Sequence, residues 1–348
     1  MNRVKVAAVC LLAGLVSIAC AEPRFDDERQ VWALSIDNDF FAPGQTDRDF
    51  TGGLAITYSG FRGLRFWRPL DRLLAWTDEA VGADNAMPEP VLVTPSIELG
   101  SYGFTPDDIE SPGVVVDDRP YASLVYFTAG RTYWDRISGD AWTSSLTFGV
   151  LGLDVFESGQ RQAHRIFGNK DAAGWAHQIS DGGEPTLRYH LAFHDSLLDQ
   201  SPSAKLKATY YLSLGYLTEA GLALSYRNGL ISSPDHRFNP ELTFYGERVS
   251  EGNSGSVQGN ESYFWGGLAI KARAYNVFLQ GQFRDSDHTL DRDDVRWLLA
   301  EAWVGYTASL GRDYSLSYLL RAQSSEIYHG QGDRALVWGG LVLSRVFR

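Results

Sequence analysis

From Lys205 to Tyr216 the chain alternates with a period of two. Leu206, Ala208, Tyr210, Leu212, Leu214 and Tyr216 fall on one side, and Lys205, Lys207, Thr209, Tyr211, Ser213 and Gly215 on the other. The pattern recurs in Tyr275, Val277, Leu279 and Phe283 against Asn276, Gln280, Gln282 and Arg284. It returns in Tyr314, Leu316, Tyr318 and Leu320 against Ser315, Ser317, Arg321 and Gln323. Such alternation places successive side chains on opposite faces of a strand. Strands of soluble sandwiches usually run about five or six residues, and these segments run roughly twice as far. About ten tilted residues cross the hydrocarbon of a bilayer, where only a closed barrel satisfies every backbone amide. Beyond the first twenty-one residues no stretch of eighteen apolar residues exists, which excludes a helical membrane protein. An aromatic-rich composition, 18 Phe, 17 Tyr and 10 Trp against 2 Met, suits the aromatic girdles of a barrel. The expected fold is all-β: a closed antiparallel outer-membrane β-barrel of about twelve strands.

Candidate strands lie near 31–38, 51–60, 93–100, 121–133, 141–152, 186–195, 205–216, 219–228, 262–271, 274–285, 296–309, 313–324 and 335–347. Single-chain bacterial barrels have an even count, so thirteen candidates imply one error, with 219–228 and 262–271 the weakest. The last segment ends on Phe347, as such barrels commonly do. Residues 66–78, with Phe66, Leu70, Leu73, Leu74 and Trp76 beside Arg68, Asp71 and Arg72, read as a short amphipathic helix in a periplasmic connection. No function follows from it.

The leading segment has Arg3 and Lys5, an apolar run from Val6 to about Ile18, and Ala19-Cys20-Ala21. This is the signature of a cleaved export signal over 1–21, leaving 22–348 as the barrel domain. Ser17 makes a poor lipoprotein box. Cys10 and Cys20 are the chain's two cysteines, so removing the signal removes every thiol. That excludes catalytic cysteine, zinc–thiolate and disulfide chemistry. Losing Arg3 and Lys5 takes the net charge from −12 to −14, which argues against a nucleic-acid partner. The expected location is the bacterial outer membrane, as a membrane-embedded monomer.

If the first strand starts in the periplasm, the links 38–50, 101–120 and 153–185 are extracellular. They hold the densest polar chemistry: Asp37-Asn38-Asp39, Thr46-Asp47-Arg48-Asp49-Phe50-Thr51, Asp117-Asp118-Arg119-Pro120-Tyr121 and Gln160-Arg161-Gln162-Ala163-His164. Grouped carboxylates with amides and carbonyls suit a hard cation such as calcium, although the spacing is not that of an EF-hand. Gln160 and His164, four apart, share one face if the third link is helical. A histidine beside a carboxylate-held cation can deprotonate water for ester hydrolysis. Plainer readings exist for each group. Asn38-Asp39 can be a turn pair, His164 a solvated loop histidine, Asp117-Asp118-Arg119 a salt-bridged rim, and His190 with His194 a lumen-facing pair.

In this order the motifs resemble the outer-membrane lipid A 3′-O-deacylase family: Asn38-Asp39, Thr46-Asp47…Phe50-Thr51-x-Gly53, Tyr102…Pro106, Asp118-Arg119-Pro120-Tyr121-Ala122, Gln160-x-x-x-His164, Gly174-Trp175-x-x-Gln178 and Glu184-Pro185. The match spans most of the mature chain and is densest over 35–190. The resemblance implies a twelve-stranded barrel and a calcium-dependent hydrolase removing the 3′-linked acyloxyacyl chain from lipid A of lipopolysaccharide. It also implies a site between the barrel wall and a short helix from an extracellular loop. Carried over, His164 is the general base, Asp39 a Ca2+ carboxylate, Asn38 a polar group at the oxyanion, and Thr51 and Gln160 supporting polar residues. The family's pattern has an oxyanion-stabilising lysine in the link between strands three and four, yet 101–120 holds no lysine; Arg119, its one cation, is the candidate to stand in for it, or else has a structural role. Two other classes stay open. One is a non-catalytic barrel that binds lipopolysaccharide or acts as a pore or adhesin. The other is an outer-membrane phospholipase, for which Ser158 would be the nearest serine to His164.

Overall fold

The computed structural model describes residues 24–25, 30–44, 48–60, 64–83, 91–135, 137–167, 172–198, 201–248 and 260–347. The expected signal segment 1–21 lies outside them. A two-residue strand, β1 (Arg24–Phe25), pairs in parallel with Leu92 and Val93. Twelve further strands follow: β2 (Gln30–Asn38), β3 (Asp49–Ser59), β4 (Val91–Thr105), β5 (Ala122–Asp135), β6 (Ala141–Leu151), β7 (Glu184–Leu198), β8 (Ala204–Gly215), β9 (Leu217–Leu230), β10 (Ser262–Asn276), β11 (Leu298–Leu310), β12 (Tyr314–Gln323) and β13 (Leu336–Phe347). Each of the twelve pairs antiparallel with its chain neighbour, and β13 returns to β2 from Gly339↔Asn38 to Phe347↔Gln30. Closure leaves no open edge among them, as a strand set in lipid requires.

The surplus candidate strand is 274–285, not either of the two that looked weakest. β10 runs on to Asn276, whose side chain accepts from the Phe278 amide at 3.0 Å and caps a single helical turn, α3 (Val277–Gln280). Gly281, at φ 67°, ends that turn. Val277, Phe278 and Leu279 are all buried in the lumen's mouth, so the apparent alternation there is a one-turn plug whose apolar residues happen to fall two apart. β4 extends past the expected 100 to Thr105, which shortens the second extracellular link.

Parity behaves as the alternation demands. Trp32, Leu34, Ile36, Leu54 and Ile56 are exposed on the outer wall, while Asp37, Glu98, Tyr126 and Arg188 point inward and are buried. His190 and His194 face the lumen, and His194 Nδ1 lies 2.9 Å from Thr209 Oγ1. The lumen is filled from the periplasmic side by the link after β9. There Glu241 meets Lys207 at 3.0 Å, and Glu247 and Arg248 reach Arg188 and Asp37. The Tyr245 ring packs among Phe50, Tyr102, Phe104 and Phe278 at centroid distances from 4.7 to 6.4 Å. Buried charge of this density is tolerated because it is paired.

Two helices lie on the outside of the wall. The expected helix at 66–78 is present as α1 (Leu64–Ala80), in the periplasmic link between β3 and β4. The third extracellular link forms α2 (Asp154–Phe167). No helix among the described residues is long and apolar enough to cross a membrane.

Candidate active site

The β3–β4 pairing skips Thr51. Phe50 pairs with Phe104, Gly52 pairs with Gly103, and Thr51 is left as the bulged residue between them. A bulge re-aims a side chain locally. Phe50 stays in the luminal aromatic cluster, while the Thr51 hydroxyl accepts from Gln160 Nε2 at 3.0 Å and from Thr105 Oγ1 at 3.3 Å. Gln160 is fixed from its other end, because its Oε1 accepts from the Trp175 indole N–H at 2.7 Å. Trp175 in turn packs edge-on against Tyr121 at 5.0 Å and tilted against Phe156 at 5.4 Å.

This chain of contacts seats α2 on the outer wall. Phe156, Gln160 and His164 follow each other at intervals of four and so line one face of the helix. Gln160 and His164 are both buried, whereas Val155, Ser158, Arg161 and Gln162 are exposed on the other faces. Glycine at 103 makes the seat possible, since a Cβ there would stand 2.5 Å from a carbon of the Phe156 ring. We expect Gly103→Val to leave the barrel folded but to push α2 off its seat, because the added carbons overlap the Phe156 ring. Heat-modifiable gel mobility would report the fold, and the rate of tryptic cleavage after the exposed Arg161 the seating of α2. Faster cleavage than in wild type is expected, and an unchanged rate would show that α2 adapts.

Asn38 ends β2 on the same outward face as Ile36. Its Oδ1 accepts from the Phe40 amide at 2.7 Å and caps the short 3-10 turn Asp39–Phe41, and its Nδ2 donates to the Thr51 carbonyl. The turn-pair reading is thus part of what Asn38 does, while the bond to Thr51 ties it to the Gln160 network. Asp39 is buried and accepts from the Arg48 amide at 2.5 Å. Asn38, Thr51 and Gln160 are therefore joined by hydrogen bonds, Asp39 is the next residue along, and His164 lies one helical turn beyond Gln160 on the same buried face.

Arg119 is directed elsewhere. It is buried with Nη2 2.9 Å from Glu326, Nη1 3.7 Å from Asp49 and its guanidinium 4.5 Å over the Phe104 ring. Glu326 is shared with Arg273 and Tyr245, and Arg334 completes the cluster by bonding Asp49 at 2.8 Å and Asp118 at 3.0 Å. This group lies under the links as an ion-pair network, as a salt-bridged rim would, but buried. Sequence reading gave no weight to Glu326 or to Thr105. Glu326 is a lone carboxylate in a late link, with no local pattern to mark it. A groove of about 430 Å³ lined by Ala272, Ala274, Trp297 and Tyr328 lies across the barrel from α2 and includes none of the candidate residues.

An outer-membrane barrel whose polar constellation is clamped between its outer wall and an extracellular helix is the class of protein defined here. The family model described as "Outer membrane protein LpxR" matches residues 6–347, and the chain belongs to that family. LpxR from Salmonella typhimurium has a similar fold, with a TM-score of 0.65 at 17% identity, covering 91% of this chain and all of that one. The β-domain of the Bordetella autotransporter BrkA is more distant, with a TM-score of 0.42 at 11% identity, covering 92% and 99%. The KdgM porin gives a TM-score of 0.38 at 5% identity, covering 91% and 99%. Among curated protein sequences none matches.

Proposed function

We propose that this outer-membrane protein, whose family points to lipid A modification, is a hydrolase that removes the 3′-linked acyloxyacyl chain from lipid A in the outer leaflet. The observation that carries the reading is the Thr51–Gln160–Trp175 chain of hydrogen bonds. It holds the buried face of α2, and with it His164, against the lipid-facing wall at the extracellular end, where an outer-leaflet ester is within reach. His164 takes a proton from water as the oxygen attacks the ester carbonyl, a role that contributes about 10²–10⁴-fold. The second N–H of the Asn38 amide, beyond the one given to Thr51, meets the oxyanion. The carbonyl carbon then parts from the 3′ oxygen, His164 returns the proton to it, and a free hydroxyl and a carboxylic acid result. Gln160 and Thr51 position α2. Arg119 acts one ion pair removed, by holding Asp49 and the first link.

Calcium is assigned to Asp39. Among the described residues no three His, Cys, Asp or Glu side chains gather, so an ion there would have one carboxylate with amide and main-chain oxygens. That all-oxygen donor set fits a hard cation, and the low ligand charge fits a weak site, with a dissociation constant of about 10⁻⁴–10⁻³ M. When bound, the ion supplies Lewis-acid polarisation of the ester carbonyl. Asp39→Ala should therefore raise the calcium needed for half-maximal activity by tenfold or more in this proposal, roughly the loss of one charged ligand. An unchanged calcium titration would remove Asp39 from the metal site.

The test of function is mass spectrometry of lipid A from Gram-negative cells expressing the chain with calcium supplied. Loss of one 3′-acyloxyacyl unit is expected. Unaltered lipid A beside a folded barrel would favour binding of lipopolysaccharide without chemistry. A pore is disfavoured by the luminal Glu241–Arg248 segment. A phospholipase using Ser158 is disfavoured because that residue is exposed, about 200° around α2 from Gln160.

A further inference from the structure

The outer wall near the periplasmic turns carries groups that do not belong against lipid. Tyr126 and Thr128 of β5 point into the lumen, so Arg131 and Tyr133 point outward, and Ser144 of β6 and Tyr189 of β7 share that outer face. A lipid-facing arginine is costly, by an amount that grows toward the midplane. Here α1 covers all four. Asp71 pairs with Arg131 at 2.8 Å, and Asp78 accepts from Tyr133 at 2.9 Å, Ser144 at 2.7 Å and Tyr189 at 2.9 Å. Between the two carboxylates Leu70 and Leu74 pack on Ala129, Leu146, Phe127 and Phe148.

These contacts also orient the helix. Asp71 sits on Arg131 of β5, and Asp78, two turns further on, reaches Tyr133 of β5, Ser144 of β6 and Tyr189 of β7. α1 therefore lies over β5 and β6 near their periplasmic ends, with its Asp78 end reaching toward β7. Its remaining face is turned away from the barrel. That face carries Arg68, Arg72 and Trp76 in an i, i+4, i+8 line, with Leu73 beside it, and Trp76 is 64% exposed. Among the described residues neither arginine has an ion-pair partner. Cations one turn apart next to an exposed tryptophan are the features by which interfacial helices hold anionic headgroups.

We propose that α1 is an interfacial helix in the periplasmic leaflet whose Arg68–Arg72–Trp76 face binds the phosphate of anionic phospholipids. The site is independent of the proposed hydrolase chemistry, which lies at the opposite end of the barrel. Two juxtaposed cations predict a preference for an anionic over a zwitterionic lipid of roughly ten- to thirtyfold. The full chain folded in detergent would be titrated with dioleoylphosphatidylglycerol and, separately, with dioleoylphosphatidylcholine, counting retained lipids by native mass spectrometry. Wild type should hold phosphatidylglycerol at ten- to thirtyfold lower concentration, and Arg68→Gln/Arg72→Gln should abolish that preference. Both arginines are exposed, so the variant should keep wild-type heat-modifiable mobility and lipid A activity. Failure of the hydrolase reading would leave this result untouched. No preference in wild type, or an equal preference in the variant, would overturn the proposal and leave α1 as a cover for Arg131. A second readout guards against a folding defect. A nitroxide on Trp76→Cys, in the mature chain that otherwise lacks cysteine, should be more accessible to oxygen than to a water-soluble relaxant in phosphatidylglycerol liposomes. The reverse order would place α1 in the periplasm and overturn the assignment.

Discussion

Replacing His164 with alanine should lower release of the 3′-acyloxyacyl chain by about 10²–10⁴-fold, the usual contribution of a positioned general base. The barrel should stay intact, because His164 is on a helix outside the closed sheet and no strand pairing depends on it. Lipid A mass spectra from cells expressing the variant would supply the rate, and gel mobility before and after heating the fold. Normal turnover would remove His164 from the mechanism. Ser158→Ala is the paired control and should be nearly silent. Complete loss there would revive a serine nucleophile despite its exposed position on α2.

Glu326→Ala should destabilise the folded barrel by about 3–5 kcal/mol, the range for stripping one partner from a buried ion pair. Glu326 holds Arg119 at 2.9 Å and also meets Arg273 and Tyr245, and its removal leaves two buried guanidinium groups short of a counter-ion. Arg273 keeps Glu219 at 2.6 Å, but Arg119 keeps only Asp49 at 3.7 Å. The midpoint of urea unfolding from lipid vesicles would measure the loss, and a change below about 1 kcal/mol would mean that Asp49 and Glu219 suffice for both arginines. The pH dependence has a definite sign. Burial alone would raise the Glu326 carboxyl, yet Arg273 and Arg119 outweigh it and hold it below its ordinary 4.5. A carboxylate depressed in the folded state contributes stability fully above its unfolded pKa and loses it as pH falls through the folded value. The gap between wild type and Glu326→Ala should thus be full at neutral pH and close in acid.

Glu326 also shows where local reading ends. It lies 207 residues from Arg119, and Asp37 lies 211 from Arg248, so neither pair leaves any trace in neighbouring residues. Reading Arg119 as the cation that stands in for a missing lysine rested on its place in a link. Folding brings Glu326 and Asp49 to it and gives the guanidinium a structural task. The surplus strand at 274–285 failed for a related reason. Alternating apolar residues mark a strand only where the backbone stays extended, and Asn276 and Gly281 bend it into one buried turn.

What the sequence alone determined was the barrel, its count of about twelve strands, and the shared face of Gln160 and His164 once the third link is helical. Strand alternation and the i, i+4 repeat are imposed residue by residue by which face meets lipid or the wall, so they are written in the order of side chains. The tertiary structure alone decided that Thr51 is bulged toward Gln160, that the link after β9 fills the lumen, that Arg119 is spent on Glu326, and that α1 lies over β5 and β6. Each of these rests on polar groups far apart in the chain. Their pairing energy exists only once closure of the sheet has brought them together and taken them out of water.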